Sequence, residues 1–265
     1  GLSSGLEYDV GFQSKTEEVI ALARVASKHG GIYMTHMRDE SDSMLTALQE
    51  AIRIGREAKI PVQISHIKMG TKGVWGRALE AVQLIEEARR EGLDVTADCY
   101  PYDAWSSTIT VLVPSRRHDD AMIVGKGLAD VGGPENVTIV SCREHPEYEG
   151  KTLEKIAEEN ETTAIEIYMR IVKDGGADVV CRSMIDKDIE TFYRQSWVMV
   201  ASDGGIFNFS ANLAGIITPI VIGVTYEATG TFVGPLIYIA AVALLGAFAY
   251  SVILGDIHRL DVATD

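Results

Sequence analysis

The chain has 265 residues, is 46% hydrophobic and 23% charged, and carries a formal net charge of −14. That acidic balance excludes a nucleic-acid binder, because no basic surface is available to replace phosphate counterions. The averages conceal a division: residues 206–258 contain no Lys or Arg, whereas the preceding 205 residues hold 34 acidic against 23 basic side chains.

Before that seam, which lies near Gly204-Gly205, the apolar period switches repeatedly between two and about 3.6, the mark of alternating strands and helices. Ser14-Lys15-Thr16-Glu17 reads as a capping box ahead of the stripe Val19, Ile20, Leu22, Ala23 and Ala26, and Gly30-Gly31 stops that helix. A strand is predicted over 32–37. Asp42 or Ser43 then caps a helix presenting Leu45, Leu48, Ile52 and Gly55, and a second strand runs over 61–66. Ala78, Leu79, Val82, Ile85 and Ala88 form a third helical stripe, and Gly92 leads into a strand over 93–99. Further strands are predicted over 137–142 and 197–201, with helices between Leu153 and Val172.

These β/α units fit either a (β/α)₈ barrel or a doubly wound sheet. No GxGxxG follows any strand, which disfavours a dinucleotide site. Cys99, Cys142 and Cys181 have neither paired nor CxxC spacing, as in a reducing compartment. The first residue is Gly1 rather than Met, so a fragment beginning within a longer protein is expected.

His36 and His66 close two strands, Tyr100 follows the third, and Asp203 closes the last. In a parallel barrel these carboxyl ends share one mouth, and imidazole with carboxylate is a zinc ligand set. A strand-end histidine held by ordinary hydrogen bonds is the competing reading. His29, His118, His145 and His258 fall at helix ends or in loops and are expected to be solvated.

The motifs GLSSGLEY at 1–8, YMTHMRDE at 33–40, ISHIK at 64–68, ADCYPY at 97–102 and VASDG at 200–204 resemble the N-acyl-D-amino-acid deacylase (D-aminoacylase) branch of the amidohydrolase superfamily. The resemblance spans 1–204. It implies an α/β fold, a partial (β/α)₈ TIM-like barrel without its N-terminal strands, and a zinc-dependent hydrolase of the amide of N-acyl-D-amino acids. It also implies His36, His66 and Asp203 as metal ligands, with Asp203 the catalytic base. Lys68 would offer a cation to the substrate carboxylate, Tyr100 and Ser106 hydroxyl donors, and Met184 an apolar contact, although a core-filling role suits a methionine equally. The family's His-x-His pair, its bridging cysteine and a carboxylate-binding arginine have no counterpart here. Weak zinc binding, no deacylase turnover and exposed sheet edges are therefore expected.

The final stretch follows a different rule. Residues 232–254 are uncharged, about 35 Å as a helix, long enough to cross a bilayer with tilt. Residues 206–226 are also uncharged, but Asn208, Asn212 and Pro219 weaken them as a span. With the short turn between, residues 205–265 read as a two-helix transmembrane hairpin. NFSANLAGIITPIVIG at 208–223 and ATGTFVGP at 228–235 are similar to the last two helices of major facilitator superfamily sugar-acid transporters. Two helices cannot enclose a transport path. The expected whole is a chimera: a hydrolase part, cytoplasmic by expectation, joined to a membrane tail over 206–254. A transporter remnant or a purposeful membrane-anchored hydrolase are the alternatives; no Gly/Ser/Pro spacer marks the join.

Overall fold

A computed structural model describes residues 1–204, 220–225, 227–229, 231 and 233–249. The chain divides into two compact units, Gly1–Asp203 and Gly204–Asp265.

The first unit is built on a five-stranded parallel sheet in the order β1 (Leu2–Gly5), β2 (Tyr33–His36), β3 (Val62–Ile64), β4 (Val95–Cys99) and β8 (Val198–Val200). Every pairing is parallel, with Tyr33 opposite Val62 and Ala97 opposite Val198. A short helix α1 (Asp9–Phe12) follows β1. Longer helices α2 (Thr16–Lys28), α3 (Met44–Ala58) and α4 (Ala78–Arg90) connect the next strands, and α8 (Asp186–Tyr193) precedes β8. Their apolar stripes bury Ile20, Leu48, Ile54, Ile85 and Phe192 with Tyr33, Ile64 and Val95 in one core. Close approach of α3 to β3 depends on Gly55, where a Cβ would overlap the Val62 side chain. Strands β1 and β8 form the edges of this sheet among the described residues. On β8, Val200 is 77% exposed, and among the described residues no strand pairs with the outer side of β8.

Between β4 and α8 the chain leaves this sheet and builds a second core. Strands β5 (Ala104–Thr108), β6 (Val137–Ser141) and β7 (Asp178–Arg182) form an antiparallel sheet in the order β5-β7-β6. It is covered by α5 (Ala121–Asp130), α6 (Leu153–Glu159) and α7 (Ala164–Lys173), burying Leu112, Val124, Ile139, Ile156, Tyr168 and Val179. The strand expected at 137–142 therefore belongs to an inserted unit rather than to the parallel series. Val137 pairs with Cys181 in antiparallel register. Apolar alternation reports a strand's buried face, not the direction of its partner, which is why sequence periodicity did not separate the two sheets.

The capping box expected at Ser14 does not form. Lys15 is the N-cap without a side-chain bond, and the Thr16 hydroxyl instead donates to Glu50 Oε1 at 2.7 Å. Arg38 draws that carboxylate inward, donating to both Glu50 oxygens and to the carbonyls of Phe12 and Ser14. Of the two cap candidates for α3, Ser43 holds the N-cap position, also without a side-chain bond. Asp39 Oδ1 accepts the Ser41 and Ser43 N–H groups there.

In the second unit, residues 220–225 and 227–229 are helical, and α9 spans Val233–Ala249. Among the described residues no helix is long and apolar enough to cross a membrane. Most of the first expected span, and residues 232 and 250–254 of the second, lie outside the described residues, as does His258.

Candidate metal centre

Each strand of the parallel sheet delivers a polar group at or just beyond its carboxyl end. Glu7 and Tyr8 follow β1, His36 ends β2, His66 and Lys68 follow β3, Tyr100 follows β4, and Asp203 follows β8. All of them line one cavity of about 360 Å³. The inserted unit supplies its other wall through Trp105, Ser106, Leu112, Val113 and Ile123. Of the residues singled out in the sequence, His36, His66, Lys68, Tyr100, Ser106 and Asp203 are thus brought together. Met184 is buried but is not among the lining residues; its N–H donates to the Asp103 carbonyl.

His36 Nδ1 and His66 Nε2 are 3.0 Å apart, with the rings edge to face. On its other side, His36 Nε2 meets Glu7 Oε2 at 2.6 Å. Glu40, on the loop between β2 and α3, reaches back beneath both rings. Its Oε1 is 3.0 Å from His66 Nδ1, and its Oε2 is 3.7 Å from His36 Nε2 and forms an ion pair with buried Lys68. Lys68 Nζ also lies 2.8 Å from His66 Nδ1 and 5.6 Å from the centre of the Tyr100 ring.

The electrostatics follow from this crowding. Burial opposes charge on Glu40, but Lys68, His36 and His66 outweigh it and hold the carboxyl well below the usual carboxylate range. Burial likewise pulls His36 downward, and the facing carboxylates Glu40 and Glu7 reverse that to a net upward shift. Burial, reinforced by Glu40 and Asp203, pushes the Tyr100 hydroxyl up, so it stays protonated as a donor. Cys99, at the end of β4, is pushed up to about 11 by burial and its Sγ turns toward the Tyr100 carbonyl. Cys99 is not among the residues that line the cavity.

One ligand atom each from His36, Glu40 and His66 lie within 4.8 Å of one another. Two nitrogens and a carboxylate oxygen at such spacing suit a tetrahedral ion, whose ligand atoms sit about 2.0–2.2 Å from the metal. A second observation agrees: the Tyr100 hydroxyl, on the wall of the same cavity, is buried without a hydrogen-bond partner. Asp203 lines the same cavity, yet the third member of the close cluster is Glu40. Sequence reasoning passed over Glu40 and Glu7 although both lie inside the quoted motifs. The available signal was position, since Glu40 follows His36 by four residues and Glu7 follows β1 by two.

No family model matches the sequence. The chain is 33% identical over 204 residues to the D-aminoacylase of Alcaligenes xylosoxydans xylosoxydans, covering 77% of this chain and 38% of that protein. The N-acyl-D-glutamate deacylase of the same organism is 28% identical over 204 residues. Over 77% of its length, the chain is homologous to D-aminoacylases and N-acyl-D-glutamate deacylases. A crystal structure of D-aminoacylase superimposes with a TM-score of 0.64 at 34% identity, covering 77% of this chain and 39% of the other. The N-acyl-D-glutamate deacylase of Bordetella bronchiseptica, solved with zinc and a phosphonate inhibitor, gives 0.64 at 27% identity. The deacylase-like part thus spans less than half the length of the relatives it matches. A separate stretch of 59 residues, 22% of the chain, is 46% identical to the probable galactarate/D-glucarate transporter GudP of Escherichia coli K12, covering 13% of it. The chain is a chimera of these two sequence types.

Proposed function

We propose that the deacylase-like part carries the site of a metal-dependent hydrolase acting on the amide bond of N-acyl-D-amino acids. The observation that carries this reading is the meeting of His36, His66 and Glu40 in a cavity also lined by Lys68, Tyr100, Ser106 and Asp203. His36, His66 and Glu40 would hold the ion, zinc by the chemistry of the donor set. When bound, it would polarise the scissile carbonyl and acidify the attacking water.

The chain's own side chains account for the rest. Lys68 offers its ammonium to the substrate carboxylate, exchanging Glu40 for it. The Tyr100 and Ser106 hydroxyls donate to substrate oxygens. Asp203 accepts a proton from the attacking water and passes it to the leaving nitrogen; the water oxygen bonds to the acyl carbon as the C–N bond breaks, giving a carboxylate and the free amine. Glu40 is already engaged by Lys68, and metal binding has to compete with that ion pair. For the 265-residue polypeptide made by itself we therefore propose weak zinc binding and no measurable turnover.

The test combines zinc calorimetry with ligand-observed NMR on the zinc-loaded chain, using N-acetyl-D-methionine and its L enantiomer. Saturable D-selective binding that depends on zinc supports the reading. Equal binding of both enantiomers, or none, sinks the deacylase assignment, while release of free D-methionine sinks the claim of inactivity.

For the tail, we propose a transporter-derived hydrophobic hairpin that associates with a bilayer. The GudP likeness and the uncharged run 232–254 favour it. Helix α9 covers 17 residues of that run, about 25 Å. Carbonate extraction of membranes from expressing cells decides: recovery of the chain in the soluble fraction refutes membrane association.

A further inference from the structure

His66 sits in a backbone conformation its side chain disfavours, with φ at +39° in the left-handed region. Such a conformation persists only where the surroundings over-determine it. The ring is met by His36, Lys68 and Glu40, and the backbone of the turn is held by Asp98 on β4. Its Oδ1 accepts the His66 N–H at 2.7 Å, and its backbone carbonyl accepts the next N–H, that of Ile67, at 2.8 Å. The other carboxylate oxygen accepts from Gln63 Nε2 at 2.8 Å. Gln63 is buried on β3, and its own carbonyl oxygen is taken by the Thr96 hydroxyl. The Asp98 carboxylate is therefore aimed by Thr96 and Gln63 at the strained turn.

We infer that Asp98 is a positioning residue that sets the direction of the His66 imidazole. It stands outside the ligand cluster and acts through the backbone. With both consecutive N–H groups tied to Asp98, His66, two residues past β3, turns out of the extended conformation. Its ring then faces His36, 3.0 Å away, instead of continuing the strand alternation. A relaxed backbone at 66 would rotate the Cα–Cβ bond and carry the ring off that point.

The inference needs only the observed geometry for its first test and rests on the metal reading for its second. The first compares amide hydrogen exchange in the metal-free full chain, Asp98→Ala, and the double variant Asp98→Asn/Gln63→Glu. In the double variant, the amide introduced at 98 keeps an oxygen for the His66 N–H. Its NH₂ donates to the carboxylate introduced at 63, and total charge is unchanged. Expected is exchange at His66 about tenfold faster or more in Asp98→Ala, with a shifted His66 ring resonance, and recovery of both in the double variant. The Ala97 amide, bonded to the Trp197 carbonyl, stays protected throughout and reports intact sheet.

The second measures zinc affinity, expected to fall about 10- to 100-fold in Asp98→Ala, as for other groups that orient a ligand, and to return in the double variant. Unchanged exchange at His66 in Asp98→Ala, or a double variant that behaves like Asp98→Ala, overturns the inference. If the parent chain takes up no zinc, the metal reading fails by itself and amide exchange still decides the role of Asp98.

Discussion

His36 Nδ1 and His66 Nε2 face each other at 3.0 Å from adjacent parallel strands, close to the spacing of two nitrogens that share one tetrahedral ion. Asp203 lines the cavity but lies outside the close cluster. The two kinds of residue should therefore separate in a metal titration. His36→Ala and His66→Ala are each expected to lower zinc affinity by more than about tenfold, whereas Asp203→Asn changes it little. Calorimetry on the three variants checks this. A loss in Asp203→Asn equal to that in His36→Ala would place the aspartate among the ligands and displace Glu40.

Glu40 and Lys68 form an ion pair in which both side chains are at least nine-tenths buried. Removing one member leaves the other charge without compensation in a poorly solvated site. Glu40→Gln is expected to destabilise the first unit by about 3–5 kcal/mol. Glu40→Gln/Lys68→Met should recover most of that loss, because no buried ammonium then remains. Urea unfolding followed by tryptophan fluorescence measures both. A single variant as stable as the parent would mean that the pair is solvated in solution.

How much of this arrangement was legible depends on which signal each residue leaves. His36, His66 and Tyr100 end or follow strands whose apolar residues read clearly, so their convergence followed from parallel topology. Strand β1 left no such signal. Its residues, Leu2-Ser3-Ser4-Gly5, have little β propensity, and its extended form comes from pairing with β2. Glu7 went unread with it. Glu40 sits in a polar stretch ahead of α3, where a carboxylate reads as solvated, and only the fold buries it against Lys68. The inserted sheet was hidden for another reason. Strand β5 is half-exposed and mostly polar, and β7 begins with Asp178 and ends with Arg182, so neither shows clean alternation. Their register, with Trp105 opposite Cys181, exists only once the two strands pair.

Cys99, Cys142 and Cys181 are all free and buried, and burial pushes the Cys99 and Cys181 thiols up to about 11 and about 12. A thiol this protonated and enclosed reacts slowly with a disulfide reagent. The native chain at pH 8 should give almost no fast colour with Ellman's reagent, and three equivalents once unfolded in guanidinium. A rapid equivalent in the native state would show that one of them reaches solvent, with Cys142, where burial raises the thiol less, the first to examine.

His145 ties the loop after β6 to the turn after α7. Its Nε2 is 2.8 Å from Asp174 Oδ2 and its Nδ1 is 3.4 Å from Glu147 Oε1, and it stacks on Tyr148. The hydrogen bond with Asp174, aided by Glu147, raises its pKa above that of an ordinary histidine. A group whose folded value is raised binds its proton more tightly in the native state. Its stabilisation is therefore complete below the unfolded value and is lost as pH rises through the folded one. His145→Gln should lower the melting temperature more at pH 5.5 than at pH 8.5. Equal losses at the two pH values would mean that the imidazole contributes through stacking on Tyr148 and not through charge.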